Sequence, residues 1–186
     1  MTAGDRRAAV CVAALLMAGC TTPPQGTPRA GPPPGAREIR VSPPAPAVLP
    51  GRSTSWRRIE STIVFLDYEG RPMTDGPWVE HAGRVRAGET LDVTIRSFGG
   101  GCEAAGGADG WVRGLEAEVR PWDYTHVPEG PDGLEYVCTT PLNMFRRTVE
   151  LVFEMPGTAT IRVHGIRSHG REPQRPIMLT STVRDE

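Results

Sequence analysis

The chain has no lysine, so all 21 of its basic side chains are arginine. With the abundance of Gly, Ala and Pro this reads as GC-rich coding bias, and composition alone gives no single arginine a role. An excess of either charge is also lacking: 22 acidic residues leave a formal net charge of −1, with the two signs mixed along the sequence. Binding a polyanion takes a cluster of cations that displaces counterions, so nucleic acid is not an expected partner. Aromatic residues are scarce at 6%, and none precedes Trp56. No long segment sustains apolar residues at i, i+3, i+4 and i+7, and Gly or Pro interrupts each candidate, which leaves helix a minor part of the fold. No Gly-x-Ser-x-Gly elbow is present to present a nucleophile. The glycines at 99–101, 106, 107 and 110 lack the Lys followed by Ser or Thr that a phosphate cradle requires, and a loop that admits a disulfide is the simpler reading.

What is present begins at the amino end. Arg6-Arg7 precedes an apolar stretch from Ala8 to Ala18, and Gly19 and Cys20 follow. A basic start, an apolar run of about ten residues and small residues at its end have the proportions of a secretory signal, too short for a mature membrane span. Met17-Ala18-Gly19-Cys20 resembles the lipobox of bacterial lipoproteins, although Met17 stands where that family usually has Leu and Asp5 interrupts the basic region. The resemblance implies cleavage between Gly19 and Cys20, lipid on the Cys20 thiol, and attachment to the membrane of the cell envelope through acyl chains such as palmitate. By the sorting rule of the enteric family, Thr21 in place of Asp after that cysteine implies the outer membrane rather than the inner, and the periplasmic side is the expected location. Loss of residues 1–19 removes Asp5, Arg6 and Arg7 and moves the net charge to −2.

Of the four cysteines, Cys11 falls in the discarded signal and Cys20 carries lipid, which leaves Cys102 and Cys138. In an oxidising compartment such a pair is expected to form a disulfide. Closing that loop of roughly 37 residues stabilises the fold by about 4 kcal/mol on the chain-entropy model. A metal site joining these thiols to His126 is the rival, but no Cys-x-x-Cys and no closely spaced His supports it.

From Thr21 to Ser55 the sequence offers no core. Ten of its 19 prolines lie between Pro23 and Pro50, so residues 20–55 are expected to form a disordered, semi-rigid tether behind the lipid. Residues 56–186 are the expected folded domain, of ordinary size. Its apolar residues recur with period two, as in Leu91, Val93 and Ile95 against Asp92, Thr94 and Arg96. The same alternation marks 115–120, 148–153 and 159–164, and weaker strands are expected at 59–66, 78–85, 134–138 and 177–183. Met155-Pro156-Gly157-Thr158 has the chemistry of a type II turn joining two antiparallel strands. Seven to eight short strands, each buried on one face, point to an all-β, antiparallel two-sheet sandwich.

Arg86-Ala87-Gly88-Glu89-Thr90-Leu91-Asp92-Val93, Gly99-Gly100-Gly101-Cys102 and the run from Phe153 to Val163 resemble the strand phrases of bacterial immunoglobulin-like domains, and small lipoproteins that carry them. This implies an immunoglobulin-like sandwich. It implies no activity.

Candidate chemistry is sparse. His81, His126, His164 and His169 are too dispersed for a metal site, and His164 has the parity of Thr160 and Arg162 and is expected to face solvent. No cofactor and no metal are expected. Trp122-Asp123-Tyr124, with Trp111 nearby, combines aromatic faces with a carboxylate and is the one candidate ligand surface, able to stack on a sugar or grip a peptide. The alternative is that Trp122 or Tyr124 caps the core. Asp123 and Glu129 are the one conceivable acid pair for glycoside cleavage, in a stretch that contains Pro128 and Pro131. The expected role is therefore a non-enzymatic structural or interaction domain of the envelope that meets an unknown protein or glycan. The alternative is a carbohydrate-binding module or hydrolase using Trp111, Trp122, Asp123 and Tyr124.

Overall fold

Wherever apolar and polar residues alternate, the chain runs extended, because alternate side chains of a strand leave its opposite faces. The computed structural model describes residues 31–43, 54–64, 69, 71, 78–128, 142–167 and 175–185. Among them it has thirteen strands and no helix. The first five are β1 (Arg37–Val41), β2 (Thr54–Glu60), β3 (Thr62–Val64), β4 (Val79–His81) and β5 (Arg84–Arg86). Next come β6 (Thr90–Gly99), β7 (Glu103–Ala104), β8 (Ala108–Arg113) and β9 (Glu116–Pro128). The last four are β10 (Asn143–Val152), β11 (Gly157–Val163), β12 (Ile166–Arg167) and β13 (Ile177–Arg184).

The strands form two sheets. The larger has the order β1-β8-β9-β11-β13-β5, with β2 and β7 paired to the far half of β9. The smaller has the order β10-β6-β3-β12, with β4 also on β6. One core draws on both: Leu91, Val93 and Ile95 of β6 and Val149 and Leu151 of β10 meet Ala117 and Val119 of β9 and Ala159, Ile161 and Val163 of β11. Phe153, just past β10, is fully enclosed with them.

Three expectations are corrected. The sheets are mixed rather than purely antiparallel, since β11 runs parallel to β9, β12 to β3 and β13 to β5. β9 and β11 are separated by β10 of the opposite sheet, and the other two pairs by several strands of both sheets, which leaves room for the chain to return in the same direction. The Pro156-Gly157 turn joins no hairpin: β10 pairs with β6 in the smaller sheet, while β11 pairs with β9 and β13 in the larger. Gly157 still has a positive φ of 142°, and there the chain crosses between sheets. The hairpin lies instead at Gly114, whose φ of 57° suits the two-residue turn closing Arg113 onto Glu116.

The third correction concerns the tether. Arg37–Val41, inside the stretch expected to stay solvated, pairs along its whole length with β8 as an outer strand of the larger sheet. Its neighbouring prolines, Pro34 and Pro43, stand outside the paired residues, so no ladder bond is lost. Ile39 and Val41 pack against the core. The compact unit accordingly begins at Pro32 rather than at Trp56. The strand expected at 134–138, with Cys138, lies outside the described residues, as do the signal region and Cys20.

Candidate functional site

All but one of the candidate side chains lie on β9, and strand parity decides what they do. Val119 N–H and C=O face β11, where the Val119 carbonyl accepts from the His164 amide at 2.9 Å. Ala117, Val119, Pro121 and Asp123 point into the interior, and Glu118, Arg120, Trp122 and Tyr124 point to the outer face of the larger sheet. Pro121 sits at the join, where β11 has ended on one side of β9 and β2 begins. A missing N–H is harmless there.

Asp123, expected on a ligand surface, is 2% exposed and enclosed between the sheets. Its Oδ1 accepts from Arg147 Nη2 at 2.5 Å and from the Gly106 amide at 3.1 Å. Arg147 comes from β10 of the opposite sheet and is itself 6% exposed. Its Nη1 donates among the carbonyls of Trp122 (2.6 Å) and Gly107 (2.8 Å) and the Ser61 hydroxyl (3.1 Å). Nη2 also donates to the Ser97 hydroxyl of β6. Five residues, from strands of both sheets and from the links beside them, thus converge on one guanidinium. Burying both charges costs solvation, which mutual attraction and these hydrogen bonds offset. Among the described residues, nothing pairs with the buried Arg147 Nε and Asp123 Oδ2. A carboxylate so enclosed and so committed cannot reach a glycan, and Glu129, its imagined catalytic partner, lies outside the described residues.

Trp122 is 3% exposed although it points outward. The Arg58 guanidinium lies 3.9 Å from its ring centroid, and Tyr124 meets it edge-on at 5.1 Å. The neighbouring glycines are required here: a Cβ on Gly106 would sit 2.5 Å from the indole, and one on Gly107 2.9 Å. The glycine pair therefore lets the chain pass close against β9. Trp111 is paired with Glu118, two outward positions from Trp122, with Asp109 and Arg120 forming the rung between them. Trp111 and Trp122 share a face but not a patch.

The half-exposed part of that face is different from the expected one. Trp56 of β2 stands across from His126 with rings 5.4 Å apart and nearly perpendicular. Arg58, two residues on, pairs with Asp109 at 2.5 Å. Trp56, Arg58, Tyr124 and His126 make one contiguous surface across β2 and β9. His164 lies on the same outer face, with Nε2 3.5 Å from Glu118. His169 lies outside the described residues, and no group of three His, Cys, Asp or Glu among the described ones converges as for a metal.

No motif marks Arg147, and composition gives no single arginine a role. Parity was the available signal: if Val149 and Leu151 face inward, Arg147 does too, and likewise Asp123 after Val119. Cys102 ends beside β9, where its carbonyl accepts from the His126 amide at 2.8 Å. No family model, no curated protein and no solved structure matches this chain.

Proposed function

We propose that the protein is a lipid-anchored protein of the bacterial cell envelope, whose folded part is a non-enzymatic interaction domain of immunoglobulin-like kind. The observation that carries this reading is the basic and apolar run ending in Ala18-Gly19-Cys20, which couples export to acylation. Two or three acyl chains give lasting attachment, where one is marginal. With the compact unit starting at Pro32, residues 20 to 31 span at most about 40 Å, so the domain works close to its membrane.

The partner is an envelope protein or a glycan, met at Trp56, Arg58, Tyr124 and His126. Rigid rings beside a guanidinium offer contact area at little entropic cost. The hydrolase reading loses its acid, because Asp123 is spent on Arg147. A Cys102 to Cys138 disulfide belongs to the same proposal. Cys102 adjoins the end of β9, from which the chain leads into the segment carrying Cys138.

Metabolic labelling with fatty acid tests the anchor: label is expected on the native chain and absent from Cys20→Ser, and persistent label in that variant overturns it. Mass spectrometry of the unreduced protein is expected to show Cys102 linked to Cys138.

A further inference from the structure

We propose that the protein self-associates by pairing β10 with β10 of a second copy across a two-fold axis at Thr148. Among the described residues β10 is hydrogen-bonded on one side only, to β6. It is a long edge, ten residues against two in β12 at the other end of the same sheet. It holds no proline, and its register runs unbroken over all ten residues. Edges that must stay single are usually short, bulged or interrupted by proline.

The direction of the free backbone groups follows from β6. The Arg96 amide donates to the Trp78 carbonyl at 2.8 Å, on the side away from β10. Arg96 is opposite Arg146, so this is a rung without mutual bonds, and Arg146 turns its own N–H and C=O outward. By alternation Met144, Thr148, Glu150 and Val152 do the same. Beside this edge is a groove of about 370 Å³ lined by Ile39, Arg40 and Val41 of β1 and by Thr148 and Glu150.

An antiparallel match centred on Thr148 places Thr148 against Thr148 of the second copy, and these outward-turned residues are the ones that exchange backbone bonds. Arg146 then stands opposite Glu150 of the second copy, and Glu150 opposite its Arg146. Met144, 60% exposed in one chain, meets Val152 of the other. Opposite charges directly across a rung favour pairing, and like charges oppose it. Shifting the match by one rung loses these charge pairs, so the sequence selects one register. The occupant is a second copy because the edge complements itself.

Sedimentation equilibrium of the full chain in detergent, with circular dichroism on every variant, tests this. The native chain is expected to dimerise. Arg146→Glu and Glu150→Arg, each exposed, are expected to keep strand content and to weaken the dimer about tenfold or more, since each sets two like-charged pairs face to face. An equimolar mixture of the two variants restores opposite charges at both rungs and is expected to dimerise as the native chain does; so is the double variant. A native chain that stays monomeric at all concentrations overturns the proposal, as do single variants that dimerise normally or a mixture that stays dissociated. Failure here leaves the lipid anchor untouched, and loss of the anchor leaves this pairing intact.

Discussion

The space between the two sheets is filled in opposite ways at its two ends. At one end Leu91, Val93, Val149, Leu151, Ile161 and Val163 make an apolar layer in which every side chain is 1% exposed or less. At the other, Arg147 gathers Ser61, Ser97, Asp123 and two backbone carbonyls around one cation. The apolar layer gains from burial in any arrangement that fills the volume, so it secures cohesion but constrains register weakly. The polar end makes its hydrogen bonds in one arrangement only. A slip of one residue along β10 would turn Arg147 to solvent and leave Asp123 buried without its countercharge.

Substitutions at the two ends should therefore differ in kind. Asp123→Ala should have the largest effect, about 3 to 5 kcal/mol in urea unfolding, because it strands a buried guanidinium. Asp123→Leu combined with Arg147→Met should recover most of that loss, and a double variant as weak as the single would end the claim that stranded charge is the cause. In the apolar layer Leu151→Ala should cost about 3 kcal/mol by leaving a cavity, with no partner substitution able to restore it except one that refills the volume. Smallest of all, Arg58→Ala on the outer face should cost about 0.5 to 1 kcal/mol and shift the Trp122 fluorescence as the indole meets water. An unchanged spectrum would show that the stacked guanidinium does not shield that ring.

The apolar end was legible in the sequence and the polar end was not. Alternation in 90–96, 115–120, 148–153 and 159–164 is a local signal, and it located parts of β6, β9, β10 and β11 with the correct inward residues. The same rule, extended a few residues, places Arg147 and Asp123 inside. Polarity argued against that, and which acceptors they meet depends on residues far off in sequence. Trp122 and Asp123 suggest one surface because they are adjacent, yet adjacent residues of a strand face opposite ways. The Pro156-Gly157 turn was recognised by its chemistry, but a turn does not specify which sheet the next strand joins. The charges and prolines around 37–41 hid β1, whose five residues gain their order from β8 rather than from any propensity of their own.

The guanidinium of Arg147 has a consequence for how the molecule assembles. Its acceptors are drawn from positions as far as 86 residues away in sequence. Such distant closures come at high cost in chain entropy and form slowly. This cation is therefore expected to stay wrapped in water during most of the folding reaction and to shed that shell only when both layers have closed. Weakening its contacts should then hasten unfolding while leaving the refolding rate nearly unchanged.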